Sequence, residues 1–367
     1  MLIRTPEYYS RFSCIADRCT DSCCAGWQVD VDDNSYAYYE TVGGEFGERL
    51  HSVMIKGRRG MEGRFRIGKD GRCPFLNERN LCDLYTELGE DALCNTCDSY
   101  PRYVNDFGNT RELGIALSCV TAAELIMGCK DGPVFTERED EDLFFSLNNI
   151  DGALYINLIK ARKRIFDIIE ERERPLPERL ADILMYSKEL EKNIKNPDCF
   201  AKLSIPQAAY NPDSVAGLFN SYWKYYLKQV IIKKEWAELG LTALDAFKNG
   251  TEDISSVIGY LDEYEREFMN IAEYFIFRYF LNAVNDGQIL AAAKMCVVSI
   301  LMILQTYYIE EKLYSHPLDF DKRVWLAHLY SREVEHSEEN FANLKRIFIK
   351  KKEFSPESII ALLMHHC

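Results

Sequence analysis

Four cysteines fall within eleven positions in the run Cys14-x4-Cys19-x3-Cys23-Cys24. Four more follow at Cys73, Cys82, Cys94 and Cys97, the last two as a CxxC pair that a tight turn brings together. Thiols must lose their protons to bind a metal, and thiolates this dense converge on soft, thiophilic ions. The spacing therefore predicts metal ligation by Cys14, Cys19, Cys23, Cys24, Cys73, Cys82, Cys94 and Cys97. Zinc takes four thiolates in a closed tetrahedron; an iron–sulfur cluster also takes four, often with proline after a ligand as in Cys73-Pro74. The residues leave both open. A site shared between the two groups would staple down the long intervening segment, residues 25 to 72. Cys119 makes a ninth cysteine before residue 120, more than one site requires, so two sites or several core cysteines are both compatible with the count. Cys129, Cys199, Cys296 and Cys367 stand apart and read as small apolar residues.

A second constellation lies in SREVEHS, residues 331 to 337. On a helix, Arg332 would share a face with Glu335 at i, i+3 or with His336 at i, i+4. These residue types suit a base or a cofactor-binding cluster; a solvated charged face is the structural alternative. Tyr274 and Arg278 in EYFIFRYF read similarly, since an arginine buried there needs a partner. The candidate catalytic residues are Glu335 and His336, and the candidate cofactor-binding residues are Arg332, Tyr274 and Arg278. Trp27 reads as packing over the metal site, and Arg102 as a donor to a thiolate or to structure.

The elements that must position these groups follow from composition and periodicity. The 367 residues are 47% apolar, enough for a substantial core, and carry a formal charge of −14. That charge argues against nucleic acid, whose phosphates need a basic surface, and favours a basic partner. The start, MLIRTPEYYSRF, has no signal-peptide pattern, so the expected setting is the cytoplasm with reduced cysteines; thirteen is also an odd number for pairing. LAAAKMCVVSILMIL, residues 290 to 304, is too short and interrupted for a bilayer span and reads as a buried helix, so no membrane association is expected. A monomer is expected.

The stretch from Gly43 to Gly71, with KGRRGMEGRF, reads as loop and short strand. From about residue 136 helical periodicity dominates: Ile150 to Ile169, a helix opened by Pro175 and Pro177, LFNSYWKYYLKQVIIKKEW, the segment 257 to 284, Gln288 to Tyr308, and Asp321 to Lys350. Ser355 and Pro356 open a last helix as N-cap and first-turn residue. The fold class is mainly α, a cysteine-rich metal module over residues 1–135 followed by an irregular multi-helix domain over 136–367.

The order C-x4-C-x3-CC, CPFL, a further cysteine and a cysteine shortly before YP resembles the clustered-cysteine zinc- or iron-chelating proteins. More closely, YYSRFSC, CTDSCCAGWQVDVD, CPFL, LGEDALCNTCDSYPR and ELGIALSC resemble the flagellin lysine N-methylases, over about residues 8 to 125. The C-terminal likeness rests on the helical layout, EYFIFRYF and SREVEHS. The resemblance implies an enzyme that transfers methyl from S-adenosylmethionine to lysine side chains of flagellin, with a cysteine-bound iron–sulfur cluster or, alternatively, zinc. No GxGxG turn is present, which argues against a Rossmann-type cofactor site. The competing class is a non-catalytic or electron-transferring metal protein whose helices are a docking platform.

Overall fold

The structure is a computed structural model that describes residues 1–27, 29–57, 63–141, 150–248 and 254–366. Cys367 and residues 58–62 of the glycine-rich stretch lie outside the described residues. Sixteen α-helices and seven short strands appear among those described, so the chain is mainly α.

Two sheets form. The strands are β1 (Leu2–Pro6), β2 (Asp30–Val31), β3 (Met54–Ile55), β4 (Gly63–Phe65), β5 (Arg102–Phe107), β6 (Thr110–Ile115) and β7 (Phe135–Glu139). One sheet runs β5-β6-β1-β7 and the other β2-β4-β3. β1 is parallel to β6, with Leu2 opposite Thr110, and antiparallel to β7, with Leu2 opposite Glu139. The N-terminal strand is thus interior to its sheet. Glu112 of β6 is fully buried and takes Arg162 of the helix Gly152–Ile169 at 2.5 and 2.8 Å and Arg4 of β1 at 2.8 Å. Two guanidinium groups around one carboxylate satisfy the charge that burial would otherwise penalise.

Buried apolar residues form two clusters. The smaller joins Val29, Val31, Tyr39, Leu50, Phe65, Phe75 and Leu84 with Cys73 and Cys94. The larger contains the helical core and also Tyr8, Phe12, Phe107, Ile115 and Met127, so it extends across residue 135. Its centre is the helix Ile289–Tyr308, the expected buried segment. The continuous helical stretch Ile289–Leu313 is long and apolar enough to cross a membrane, but 94% of its most apolar part is buried inside the protein.

Several elements differ from the sequence expectation for local reasons. The glycine-rich stretch contains the helix Gly44–Val53, packed through Leu50, besides its strands. The expected helix across LFNSYWKYYLKQVIIKKEW is interrupted: it runs from Leu218 to Tyr226, and a new helix starts at Lys234. Between them the β-branched run Val230-Ile231-Ile232 is extended against other chain segments, because Asn340 Oδ1 accepts from the Val230 amide at 3.0 Å and Glu333 accepts from the Ile232 amide at 2.9 Å. The segment 257 to 284 divides at Tyr264 into Ile254–Glu263 and Glu265–Tyr279. The last long helix divides into Phe320–Val334 and Glu338–Lys350, because Ser337 N-caps the second by accepting from the Asn340 amide. Ser355 caps Pro356–Leu363 as expected.

Candidate functional site

The break between those two helices is where the functional candidates lie. His328, Arg332 and His336 follow one another at intervals of four, and the first two meet the cysteine loop directly. Arg332 is 1% exposed; its Nη1 lies 3.0 Å from Asp21 Oδ2, and its Nη2 donates to the carbonyls of Ser22, at 3.0 Å, and Ala25. His328 Nε2 is 2.9 Å from the same Asp21 oxygen, and Lys233 Nζ pairs with its other oxygen at 2.5 Å. Burial alone would raise the Asp21 carboxyl. The His328 hydrogen bond, the Arg332 charge and Lys233 override it and hold the group down at about 2. Arg332 therefore fastens the cysteine loop to the helical core, with its terminal nitrogens already engaged.

His336 packs edge-on against Trp27 at 4.0 Å and Tyr100 at 5.3 Å between ring centroids. Trp27 thus lies against the helix break; its indole N–H donates to the Cys23 carbonyl. Burial, then the nearby charges of Arg332 and Arg278, push the His336 imidazole down to about 3, so the ring is neutral. His328 is shifted down for the same leading reason, against the pull of Asp21. His328 Nδ1, Arg332 Nε and His336 Nε2 are all buried without a hydrogen-bond partner. Three orphaned nitrogens thus lie on the last turns of this helix and just beyond its end, each a departure from the usual pairing of buried polar atoms.

Glu335 points elsewhere. Its side chain is closed off from solvent, and its Oε2 accepts from Tyr279 Oη at 2.6 Å, Tyr274 Oη at 2.8 Å and Arg278 Nη1 at 3.1 Å; Ser331 Oγ donates to Oε1 at 2.6 Å. Tyr274 Oη also accepts from the Leu117 amide at 3.2 Å, which ties the cluster to the turn after β6. Arg278 lies 4.4 Å over the Tyr103 ring and 5.1 Å over Tyr279. Burial foremost, and then the Glu335 charge against the opposing pull of Arg278, keeps both Tyr274 and Tyr279 protonated well beyond their ordinary range. The geometry is a charge-paired carboxylate held by four donors. Tyr274, Arg278 and Glu335 are brought together as a unit, while Arg332 belongs to the cysteine-loop contact.

The cysteines divide by neighbourhood. Cys24, Cys73, Cys82, Cys94 and Cys97 all belong to or pack on the smaller apolar cluster, and the Cys73 amide donates to the Cys24 carbonyl at 2.8 Å. Cys119 packs on the larger cluster, and Cys14 is exposed. Within the Cys94–Cys97 pair, the hydrogen bond from Cys97 favours the Cys94 thiolate, against burial. Cys24 is likewise favoured by Cys23, against burial, with help from Ser22, Arg332 and Arg72. Among the described residues no three His, Cys, Asp or Glu side chains converge closely enough to hold a metal ion. Of the eight cysteines expected as ligands, Cys24, Cys73, Cys82, Cys94 and Cys97 share the smaller apolar cluster, and Cys14, Cys19 and Cys23 lie outside it.

Residues that sequence reading passed over include Asp21, Lys233, His328, Tyr100, Tyr103 and Tyr279. A signal for one existed: His328 precedes Arg332 by four, so the ladder to His336 was readable once the helix was assigned. Asp21, by contrast, finds its partners more than 200 residues away, at Lys233 and beyond.

The helices that carry these groups define the class of the protein. A family model described as the FliB lysine N-methylase C-terminal domain matches residues 162–362, over half the chain and including Tyr274, Arg278, Arg332, Glu335 and His336. The chain belongs to the FliB lysine N-methylase family. It is similar to the lysine-N-methylase of Salmonella typhimurium, 28% identical over 141 residues, and to that of Salmonella choleraesuis, 27% identical over 141 residues. Each match covers 37% of this chain and 35% of the relative, so it spans about a third of those proteins' length. It is also similar to the flagellar biosynthetic protein FliU of Salmonella muenchen, 26% identical over 143 residues, 37% of this chain and 83% of the relative. No solved structure matches.

Proposed function

We propose that this chain is a protein-lysine N-methyltransferase that moves a methyl group from S-adenosylmethionine to lysine side chains of flagellin. The family match over residues 162–362 carries this reading, because it takes in the whole Tyr274–Arg278–Glu335 unit and the adjoining His336.

The reaction is a displacement at the sulfonium methyl by a neutral amine. A lysine near its ordinary pKa of ~10.4 is neutral in only about one molecule in 2,500 at pH 7, so deprotonation costs roughly 4.6 kcal/mol. A site must offset that by desolvation and by acceptors of the proton or its hydrogen bond. In this reading Glu335, oriented by Ser331, Tyr274, Tyr279 and Arg278, favours the positive charge that the sulfonium brings and that builds on the amine nitrogen as it takes the methyl group, while loss of the lysine proton falls to desolvation and solvent. His336, kept neutral, offers an imidazole that repels neither an ammonium nor a sulfonium. Tyr274 and Arg278 set the wall on which the cofactor would lie, and Arg332 acts through the cysteine loop. The chain's surplus of acidic groups draws a lysine-bearing surface toward it.

The cysteines suit a zinc or iron–sulfur centre in chemical type, and no step of this reading passes through one.

The test is incubation of the protein with S-adenosylmethionine and purified flagellin, read by intact mass. Methyl-sized increments on flagellin lysines are expected, and Glu335→Gln is expected to lower their rate of appearance by at least about a hundredfold. Absence of increments on both folded and unfolded flagellin overturns the reading.

A further inference from the structure

A wide-mouthed surface depression of about 340 Å³ lies between the small sheet and its helices, lined by Tyr36, Glu40, His51 and Met54, with Glu40 and His51 exposed at it. Its walls follow from local structure. Tyr36 and Glu40 are four apart on the helix Asp33–Thr41 and so share a face, while His51 and Met54 are three apart at the end of Gly44–Val53. The two helices are joined by a short turn at Val42 and Gly43, which brings these faces together. The site belongs to the smaller apolar cluster, on which Tyr36 and Met54 pack, and shares no residue with the Glu335 unit.

The chemistry of the lining is one-sided. The Glu40 carboxylate is exposed, and among the described residues it has no partner. His51 Nε2 lies 2.9 Å from the Tyr39 carbonyl, which can only accept; Nε2 therefore carries the proton, and Nδ1 is left as a lone-pair acceptor when the ring is neutral. Met54 contributes a polarisable thioether and Tyr36 an aromatic face, so the walls present an anion, an acceptor and a π surface. The lining itself carries one carboxylate and no lysine or arginine, and Arg49 on the neighbouring helix is already paired with Asp83 at 2.7 Å. The volume is at the lower end of the roughly 300–1,000 Å³ typical of small-ligand pockets, enough for a side chain.

We propose that this depression binds the ammonium end of a lysine side chain presented by a protein partner, as a docking site separate from the Glu335 unit. A primary ammonium supplies the charge and N–H donors that Glu40 and His51 lack partners for, and its aliphatic stem lies against Tyr36 and Met54. A sulfonium cofactor fits less well: it has no N–H donor at its charge, and its own carboxylate would meet Glu40. The assignment stands on the lining and does not depend on methyl transfer.

The experiment is fluorescence anisotropy of the full chain with a short fluorescein-labelled peptide carrying one central lysine, beside matched peptides with norleucine or arginine in its place. The lysine peptide is expected to bind more tightly than the norleucine peptide. Glu40→Gln and Tyr36→Leu are each expected to weaken it by about threefold or more, and Tyr36→Phe to retain it, since the ring face persists. Equal binding of the lysine and norleucine peptides overturns the proposal. So does unchanged affinity in both Glu40→Gln and Tyr36→Leu, or displacement of the peptide by S-adenosylmethionine in preference to N-acetyl-lysine amide. Glu40-dependent binding without any methyl transfer keeps this site and removes the catalytic reading.

Discussion

The Asp21 carboxylate and the Arg332 guanidinium meet with Oδ2 and Nη1 3.0 Å apart, joining the cysteine loop to the far end of the chain. Asp21 faces His328, Lys233 and Arg332 together. Removing it leaves the buried Arg332 guanidinium without a counter-charge, which typically costs about 3–5 kcal/mol. Asp21→Asn is expected to lower stability by about 3 kcal/mol and to expose residues 14–27 to protease before the helices. Arg332→Met added to Asp21→Asn should cost less than the two single losses summed, because both break one network. Additive losses in a urea-denaturation cycle would remove the network from the account.

Acid should destabilise the protein in two stages. His328 and His336 are shifted down in the folded chain, His336 to about 3, so they stay neutral while unfolded imidazoles near pKa ~6.5 take up protons. Their contribution is fully present above pH ~6.5 and is lost progressively below it. Asp21, held at about 2, adds stability that is present above pH ~3.9 and fades toward 2. The urea midpoint should therefore begin to fall near pH 6.5, and His336→Phe should flatten that first decline. A wild-type midpoint constant from pH 7 to 5 contradicts the histidine assignment.

Glu273 predicts a dependence of the opposite sign. Burial first, and then the neighbouring Glu170 charge, raise its carboxyl to about 8, although Arg266 Nη2 lies 3.2 Å away. The folded chain keeps this proton where the unfolded chain has lost it, so the contribution is present below pH ~4.3 and disappears as pH rises toward 8. Glu273→Gln should leave stability at pH 5 nearly unchanged and raise it at pH 9. A loss of stability at pH 9 instead would show that the ionised form is the one the fold uses.

The four donors around Glu335 can be separated by removing one at a time. Tyr279→Phe takes away a single hydrogen bond to a charged acceptor and is expected to cost about 1.5–3 kcal/mol. Glu335→Gln removes the buried negative charge that pairs with the largely covered Arg278 and should cost more, about 3–5 kcal/mol. Chemical denaturation checks the order. If Tyr279→Phe proves the more damaging, the carboxylate is not the hub of the cluster.

Much of the helical architecture was legible because it depends on local periodicity and capping: Ile289–Tyr308 and the Ser355 cap fall where the residues put them. The helix breaks at Tyr264 and at 335–337 were not, since apolar and polar periodicity continues through both and only tertiary contacts and the Ser337 cap decide. The helix Gly44–Val53 was obscured by its glycines, whose conformational cost is offset by burying Leu50. Arg332, Glu335 and His336 were recognisable as a group, yet their division between two faces depends on Asp21 on one side and on Tyr274, Arg278 and Tyr279 on the other. Cysteine spacing predicted metal ligation by eight thiols, but which of them share a neighbourhood depends on the fold of residues 25 to 72 that separates the two groups.

The Asp21–His328 contact also imposes an order in time. These residues are 307 positions apart, so at a synthesis rate of about 5–20 residues per second the ribosome needs on the order of 15–60 s to deliver the second after the first. Throughout that interval the thiols from Cys14 to Cys24 are without the helix that later covers their loop. A nascent chain therefore offers them to any soluble delivery agent or oxidant well before the finished protein restricts access. Synonymous changes that slow translation between residues 233 and 328 would lengthen this window without altering a single amino acid.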